Sequence, residues 1–374
     1  MRYFMQYLKT ANVNLVKDMG MIPYLLYKKY GYDSTVVTYK NGEYSYLQKD
    51  LMGLKIDFVK KIFNNYSLDG ALHLLKYGQS MDIIQIFHVT LSSVAYVYSY
   101  KFKNKMGKVY LKLDCSHKLV ERITELSKIQ LYFLERFLNK VDLISIEQEE
   151  LYYRLKKILK KHENKIINIP NGIDFQMLTR KGLTYDFSKK ENVILNVARI
   201  GTEEKDTPML LEAFANISNI ENLDWKLKLI GTIEEDFNTY IQQYFKKYPK
   251  LINKVIFLGE ITDRIQIFHE YAKAKIFSLT SRFESFGIAF IEAAAMGDVI
   301  VSTDVGIAKE LVCDDNGELV NIGDVASLTK AFEKYISEID FQKHADKTYN
   351  VCKQRFDWDI IIQSLNDSIT KIVK

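Results

Sequence analysis

Two carboxylates eight positions apart, Glu284 and Glu292, stand in the stretch Ser281-Arg-Phe-Glu-Ser-Phe-Gly-Ile-Ala-Phe-Ile-Glu-Ala-Ala-Ala-Met-Gly297. Glu284 reads as a loop residue able to accept hydrogen bonds from hydroxyls. Glu292 lies about two helical turns further on at ~3.6 residues per turn, on nearly the same face, where it can meet a second polyol moiety. Between them Ser285, Phe286 and Gly287 open a helix read over Ile288 to Met296. Its first N–H groups have no intrahelical partner and favour an anion. A diphosphate held between two sugars fits this pattern. Arg199 and Lys205 flank the end of an apolar run, Val193 to Val197. Arg offers a planar bidentate fork and Lys a compact charge, so together they can neutralise a diphosphate without a metal ion. The plainer alternatives are surface charge for the two cations and a dipole-serving carboxylate for Glu284.

These residues need strands and turns to hold them. Apolar runs near 34–39, 83–87, 109–113, 143–146 and 166–169 read as strands, with one long helix over 116–139. A second series falls near 193–197, 227–230, 255–258, 276–279 and 299–302. Strands alternating with helical runs mean parallel sheets covered on both faces, and two series mean two doubly wound α/β domains. The joint is read at Asn168 to Leu183, where the Asn171-Gly172 turn leads into a polar stretch, giving domains over 1–170 and 171–356. Ligands of such sheets sit beyond the strands' carboxyl ends, so the site is expected in a cleft between the two domains.

At 374 residues, 47% of them hydrophobic, the chain is long enough for two cores and too apolar to be disordered. No apolar run reaches the roughly 18 residues that span a bilayer, and Met1 to Lys9 is too polar for a signal peptide. Cys115, Cys313 and Cys352 are odd in number and lack metal spacing, which fits free thiols in a reducing cytoplasm. Charge is divided unevenly. Residues 1–170 hold 27 Lys and Arg against 16 Asp and Glu, a net +11, while the remainder carries −6. Such a field draws an anionic partner: a lipid surface, a lipid-linked diphosphate or an acidic polysaccharide. It concentrates at Lys101 to Lys108 and at Tyr152 to Lys161. The second segment, with Tyr152, Leu155 and Leu159 on one side, suits either an interfacial helix or the solvated face of an ordinary Rossmann helix. Nucleic acid is not expected, because the charge is not interleaved with a recognition motif.

The segment around Glu284 and Glu292 resembles the E-(seven residues)-E motif of the retaining, nucleotide-sugar-dependent glycosyltransferases of family 4, which have the GT-B fold. Asn192 to Ile200 with Lys205, Val255 to Glu260, Val301 to Gly306, Ile169 to Asp174 and Phe356 to Trp358 are similar to further segments of that family. The resemblance is nearly continuous from residue 169 onward and weak before it. It implies that a last helix within 357–374 packs back on the first domain. It also implies that Arg199 and Lys205 hold a donor diphosphate, Glu292 the ribose and Glu284 the transferred sugar, with the N–H groups of Phe286 and Gly287 facing the β-phosphate. Ser285 and Gly20 join the donor-binding set, no cofactor or metal is required, and the acceptor is a glycan or a lipid-linked or protein-linked molecule. Localisation is then cytoplasmic or peripheral at the inner membrane face.

The first-domain residues depart from the family. A central strand that usually ends in His here ends in Asp114, which can stabilise positive charge at an anomeric carbon or simply cap a helix, with Ser116 competing for the cap. His88 and His117 are alternative site residues. Of the usual paired glycines near the N-terminus only Gly20 remains, in a segment read as a loop with Pro23 in the first turn of the following helix. Asp298, where the family commonly has Pro, is expected to matter only to the local backbone. A second reading follows from these departures, a GT-B subunit that binds a partner or glycan without catalysis. A third reading, a nicotinamide oxidoreductase, needs a glycine-rich dinucleotide fingerprint after a first strand, and neither half shows one.

Overall fold

The computed structural model describes residues 1–313 and 315–374. The chain divides into two compact units, Met1–Asn171 with Asp359–Lys374, and Gly172–Trp358. Each is α/β. The first contains seven strands, β1 (Arg2–Gln6), β2 (Asp33–Thr38), β3 (Lys55–Phe58), β4 (Ile83–Phe87), β5 (Lys108–Leu113), β6 (Leu143–Ile146) and β7 (Ile166–Asn168). They lie in the order β3-β2-β1-β4-β5-β6-β7. The second contains β8 (Glu191–Val197), β9 (Lys226–Ile230), β10 (Val255–Gly259), β11 (Ala274–Phe277), β12 (Val299–Thr303) and β13 (Gly317–Val320), in the order β10-β9-β8-β11-β12-β13. Every paired strand runs parallel to its neighbour.

All-parallel sheets are covered on both faces, and their central strands are accordingly buried. In β4 and β12 every residue is buried. Strand order reverses once in each sheet, between β1 and β4 and between β8 and β11. Crossover connections leave these two points in opposite directions and open a crevice at the carboxyl ends.

Several helices differ from the sequence reading, each for a local reason. The long helix expected over 116–139 is two, His117–Thr124 and Lys128–Leu138, because Ser127 and Gln130 form a capping box that starts the second. The segment around Gly20 is helix, not loop: Asp18–Tyr30 carries Pro23 in its second turn. In Glu149–Ile158, Leu151 and Leu155, with Leu159 just beyond, are buried in the first unit's core, so the apolar stripe is already covered by protein. Asp298 is no mere backbone variant. Its carboxylate, wholly buried, pairs with the equally buried Lys190, whose ammonium also donates to Tyr271 O at 3.0 Å. Burial pushes the Asp298 carboxyl up to about 7, although the Lys190 charge works against the rise.

Breaking a buried pair leaves a lone charge, whereas removing both members does not. Asp298→Ala is expected to lower the unfolding free energy in urea by about 3–5 kcal/mol, and Lys190→Met added to Asp298→Leu to recover most of it. An unchanged urea midpoint in Asp298→Ala would show that the pair is solvated.

Candidate functional site

In the second unit the predicted donor-site residues gather at the β8/β11 switch point. β8 ends at Val197, and Arg199 follows two residues later. A short 3-10 turn, Glu203–Lys205, then brings Lys205 back to the loop that follows β11. Two clamps fix that approach. Thr280 Oγ1 donates to both Lys205 O and Asp206 O at 3.0 Å, and Arg282 N–H donates to Glu204 O at 2.8 Å. Lys205 Nζ consequently reaches Glu284 Oε1 at 2.5 Å, and the same oxygen accepts from Ser281 Oγ at 2.8 Å. Both side chains are mostly covered. Arg199, more exposed, pairs with Glu204.

The helix does not run from Glu284 to Glu292. It begins at Ile288, after Gly287 in the left-handed conformation (φ 85°), and ends at Ala294. Only the second half of the spacing is therefore helical, and it is the loop that sets where Glu284 lies. That loop is tightly packed. A Cβ on Gly287 would come within 2.7 Å of the Phe290 ring, and one on Gly306 (φ 58°) within 2.4 Å of Phe286 O and 2.9 Å of Glu284 Cβ. Phe286 is buried against Phe356, and its carbonyl accepts from Ile307 N–H at 3.0 Å. Ser285 lies in the same loop.

Glu292 is held by two groups the sequence did not flag. Arg264, at the start of the helix Arg264–Lys273, donates to Glu292 Oε1 from Nη2 at 2.9 Å and from Nε at 3.2 Å, and Tyr271 OH donates to Oε2 at 3.3 Å. No spacing rule connects residues 264 and 292. Ser281 was legible in principle, since it stands three residues before Glu284 in the motif itself. Among the described residues the wall thus holds four cation–carboxylate pairs, Arg199–Glu204, Lys205–Glu284, Arg264–Glu292 and Arg282–Asp206.

The first unit carries a different arrangement. Lys112 in β5 is fully buried, with Nζ 2.8 Å from Glu147 Oε1 and 3.6 Å from Asp18 Oδ2, and it donates to Ile169 O at 3.3 Å. Asn171 Nδ2 adds a 2.8 Å bond to Glu147 Oε1. Burial pushes both the Glu147 and the Asp18 carboxyls up; the Lys112 charge opposes this and the Asp114 charge adds to it. Burial alone would lower the Lys112 ammonium, but Glu147 and Asp18 hold it above its ordinary range. Asp114, immediately beyond β5, has Oδ1 buried and without a hydrogen-bond partner among the described residues. The helix cap lies elsewhere: Ser116 occupies that position before His117, which is exposed.

At the β1/β4 switch point the first unit has a cavity of about 160 Å³, lined among others by Gln6, Tyr7, Lys9, Tyr66, His88 and Ser92. His88 adopts φ 55°, unusual for a side-chain-bearing residue, with its N–H donating to Lys112 O at 3.1 Å. Gln6 donates to Gly70 O at 3.2 Å, while its Oε1 faces no donor among the described residues. Gly20 is not part of this cavity. It is buried in its helix, and a Cβ there would meet Leu15 O at 2.0 Å, so the glycine permits packing against the preceding turn.

A carboxylate that adds to buried like charges destabilises its surroundings. Asp114→Asn is therefore expected to raise the unfolding free energy, on the order of 1 kcal/mol, as read from urea midpoints. A clear loss of stability would mean that Asp114 has a fold-supporting partner, as a cap has.

Residues 184–350 match the family model described as Glycosyl transferases group 1. Among curated proteins, a phosphatidyl-myo-inositol mannosyltransferase of Mycobacterium leprae (strain TN) is 22% identical over 200 residues, 53% of this chain and 52% of the relative. An N-acetyl-alpha-D-glucosaminyl L-malate synthase of Bacillus anthracis is 26% identical over 197 residues, 51% and 49% of the two chains. The match spans about half the length of these relatives. Among solved structures, HepE of Anabaena in complex with UDP superposes with a TM-score of 0.74 at 17% identity, covering 99% of this chain and 100% of that one. The apo form of the lipopolysaccharide outer core galactosyltransferase WaaB gives 0.73 at 16% identity, with 99% of each chain covered. These likenesses give the fold: the chain has the GT-B fold, and its residues 184–350 match the model of glycosyl transferases group 1.

Proposed function

We propose that the chain is a retaining glycosyltransferase that moves a sugar from a nucleoside diphosphate sugar to a glycan, lipid-linked or protein-linked acceptor, without a metal ion. Its setting is the synthesis of cell-surface polysaccharide or glycoconjugate on the cytoplasmic side, where it is peripheral to the membrane. The observation that carries this reading is the meeting of Lys205, Glu284 and Ser281 at the β8/β11 switch point, with Arg199 on the same strand end and Glu292 on the following helix. Solved neighbours of the same fold hold UDP and UDP-glucose, which supports a uridine donor as the first to test.

The chemistry needs few groups. As the bond from the anomeric carbon to the diphosphate oxygen breaks, the bond to the acceptor oxygen forms on the same face, and the departing phosphate takes the acceptor's proton. Arg199 and Lys205 stabilise the charge that grows on the leaving diphosphate, while Glu284 orients the sugar hydroxyls and Glu292 the ribose. Asp114 stabilises positive charge at the anomeric carbon or takes the proton in the phosphate's place. The second reading, a binding subunit without turnover, is favoured by Asp114 standing where the family has His; it predicts a chain that binds no nucleotide sugar.

A melting-temperature screen against UDP-, GDP-, ADP- and CMP-sugars separates the two, since a donor at 100 times its Kd stabilises the fold by about 2.7 kcal/mol. With the donor known, Glu292→Ala is expected to weaken nucleotide binding and Glu284→Ala mainly to abolish turnover. Wild-type activity in both would remove the donor-site assignment. Arg199→Ala and Lys205→Ala should each lower turnover about 10²-fold, the loss expected for one stabiliser of a leaving group. If EDTA abolished wild-type activity and magnesium restored it, the metal-free mechanism would be wrong.

A further inference from the structure

The first unit carries an apolar groove that its own core leaves open. Two helices form it, Leu91–Lys103 and Lys128–Leu138. Val94, Leu134 and Phe137 make its floor and continue into the unit's hydrophobic core, while Leu91, Tyr98 and Phe133 stand at its sides. The groove's volume is about 830 Å³. Leu91 is 86% exposed and Phe133 64%, and Ile129 and Tyr132 on the neighbouring crest are likewise in solvent. Phe102 extends the strip along the first helix at 79% exposure. Single exposed apolar residues are ordinary, but a contiguous group of this size marks an interaction surface.

The exposure is built in rather than a consequence of fraying. Thr90 caps the first helix by accepting from Ser93 N–H at 3.2 Å, and Ser127 caps the second by accepting from Gln130 N–H at 3.3 Å, each in a capping box. On the second helix Gln130, Phe133, Leu134 and Phe137 follow the i, i+3, i+4, i+7 spacing of a single helical face, and all four line the groove. The rim is cationic. Arg136 lines the groove and donates to Tyr132 OH at 3.1 Å, and Lys140 lies 5.1 Å from the centre of the Tyr98 ring. Residues 89–140 hold ten Lys and Arg, of which Lys112 is buried in the core, against four Asp and Glu. Of those four, Glu135 is engaged by Lys161 and Asp114 is partly buried.

We infer that this groove and its rim are the docking surface for an anionic lipid bilayer, with Leu91, Ile129, Tyr132, Phe133 and Phe102 entering the headgroup layer. This gives a location to the membrane association in the reading above but does not depend on the transfer reaction. The basic rim selects the occupant: an apolar face ringed by cations is complementary to negative headgroups over acyl chains. The helix Glu149–Ile158 cannot take this part, because its leucines lie in the core.

Flotation with vesicles of phosphatidylcholine, alone or mixed with phosphatidylglycerol, tests the assignment on the full chain. Wild type is expected to float with the anionic vesicles and to be released as salt rises from about 0.05 to 0.5 M. Leu91→Gln combined with Phe133→Glu should weaken partitioning at least about tenfold at unchanged melting temperature, the loss of roughly one buried side chain or more. Arg136→Glu with Lys140→Glu should remove the preference for anionic vesicles, while Lys157→Glu with Lys160→Glu, beside the core-packed helix, should leave the apolar contribution intact. No flotation of wild type at low salt overturns the proposal. So does a concentration-dependent dimer that Leu91→Gln/Phe133→Glu dissolves, which would make a second copy the occupant. Calorimetry with UDP keeps the two readings apart: a chain that floats as described but binds no nucleotide loses the transferase reading and retains the surface.

Discussion

A parallel strand packed between helices has no solvent side, so each sheet can place a charge only at a strand's end or inside a pair. That constraint arranges the rest of the molecule. The cations and carboxylates of the second unit stand where β8 and β11 end, and the polar cavity of the first stands where β1 and β4 end. These are the two points at which strand order reverses, and the only crevices that crossover geometry leaves open in sheets of this kind. Two buried lysines inside the cores obey the pairing clause: Lys112 meets Glu147, and Lys190 meets Asp298.

The carboxylates at the β8/β11 switch point are also paired, and in the proposed function this bears on how a donor is received. Glu284 holds Lys205, and Glu292 holds Arg264. In the proposed reaction a diphosphate draws Lys205 toward its own oxygens, and Glu284 is then free to accept from sugar hydroxyls. Exchanging one ion pair for another costs far less than exposing a lone carboxylate in a partly covered loop. In that proposal the pairs keep the wall charge-balanced before a donor arrives and hold the side chains near the places where the reaction would need them.

How much of this the sequence disclosed depends on the kind of signal. β2 and β4 to β12 each carry apolar residues in a short run or in alternation and were legible. β3 and β13 were missed because an edge strand has fewer neighbours and a weaker pattern: Lys55 and Asp57 alternate with Ile56 and Phe58, and Gly317 begins β13. β1 was missed although it is central, because Arg2 and Gln6 bracket only three apolar residues, and Gln6 is buried for a reason that lies 64 positions away, at Gly70 O. The motif gave Glu284, Glu292, Arg199 and Lys205 their place at the strand ends, while Arg264, Glu204 and the inner ion pairs are long-range or cross-loop contacts with no period. Asp298 was undervalued because a charge read along the chain shows neither its burial nor its partner.

The unequal reach of the comparisons has the same cause. The family model matches residues 184–350 only, whereas solved structures of the same fold cover 99% of the chain at 17% identity. A fold asks each position only to be apolar or polar on the right face, and many sequences meet that demand. A site that places a cation, a carboxylate and a hydroxyl within about 3 Å of one another fixes residue identity, and so keeps a readable pattern in the unit that contains it. In the first unit the proposed docking surface asks less of identity, since aromatic or aliphatic side chains and either Lys or Arg serve it equally. Charge and exposed apolar area are therefore the quantities to follow there, and both converge on the groove between Leu91–Lys103 and Lys128–Leu138.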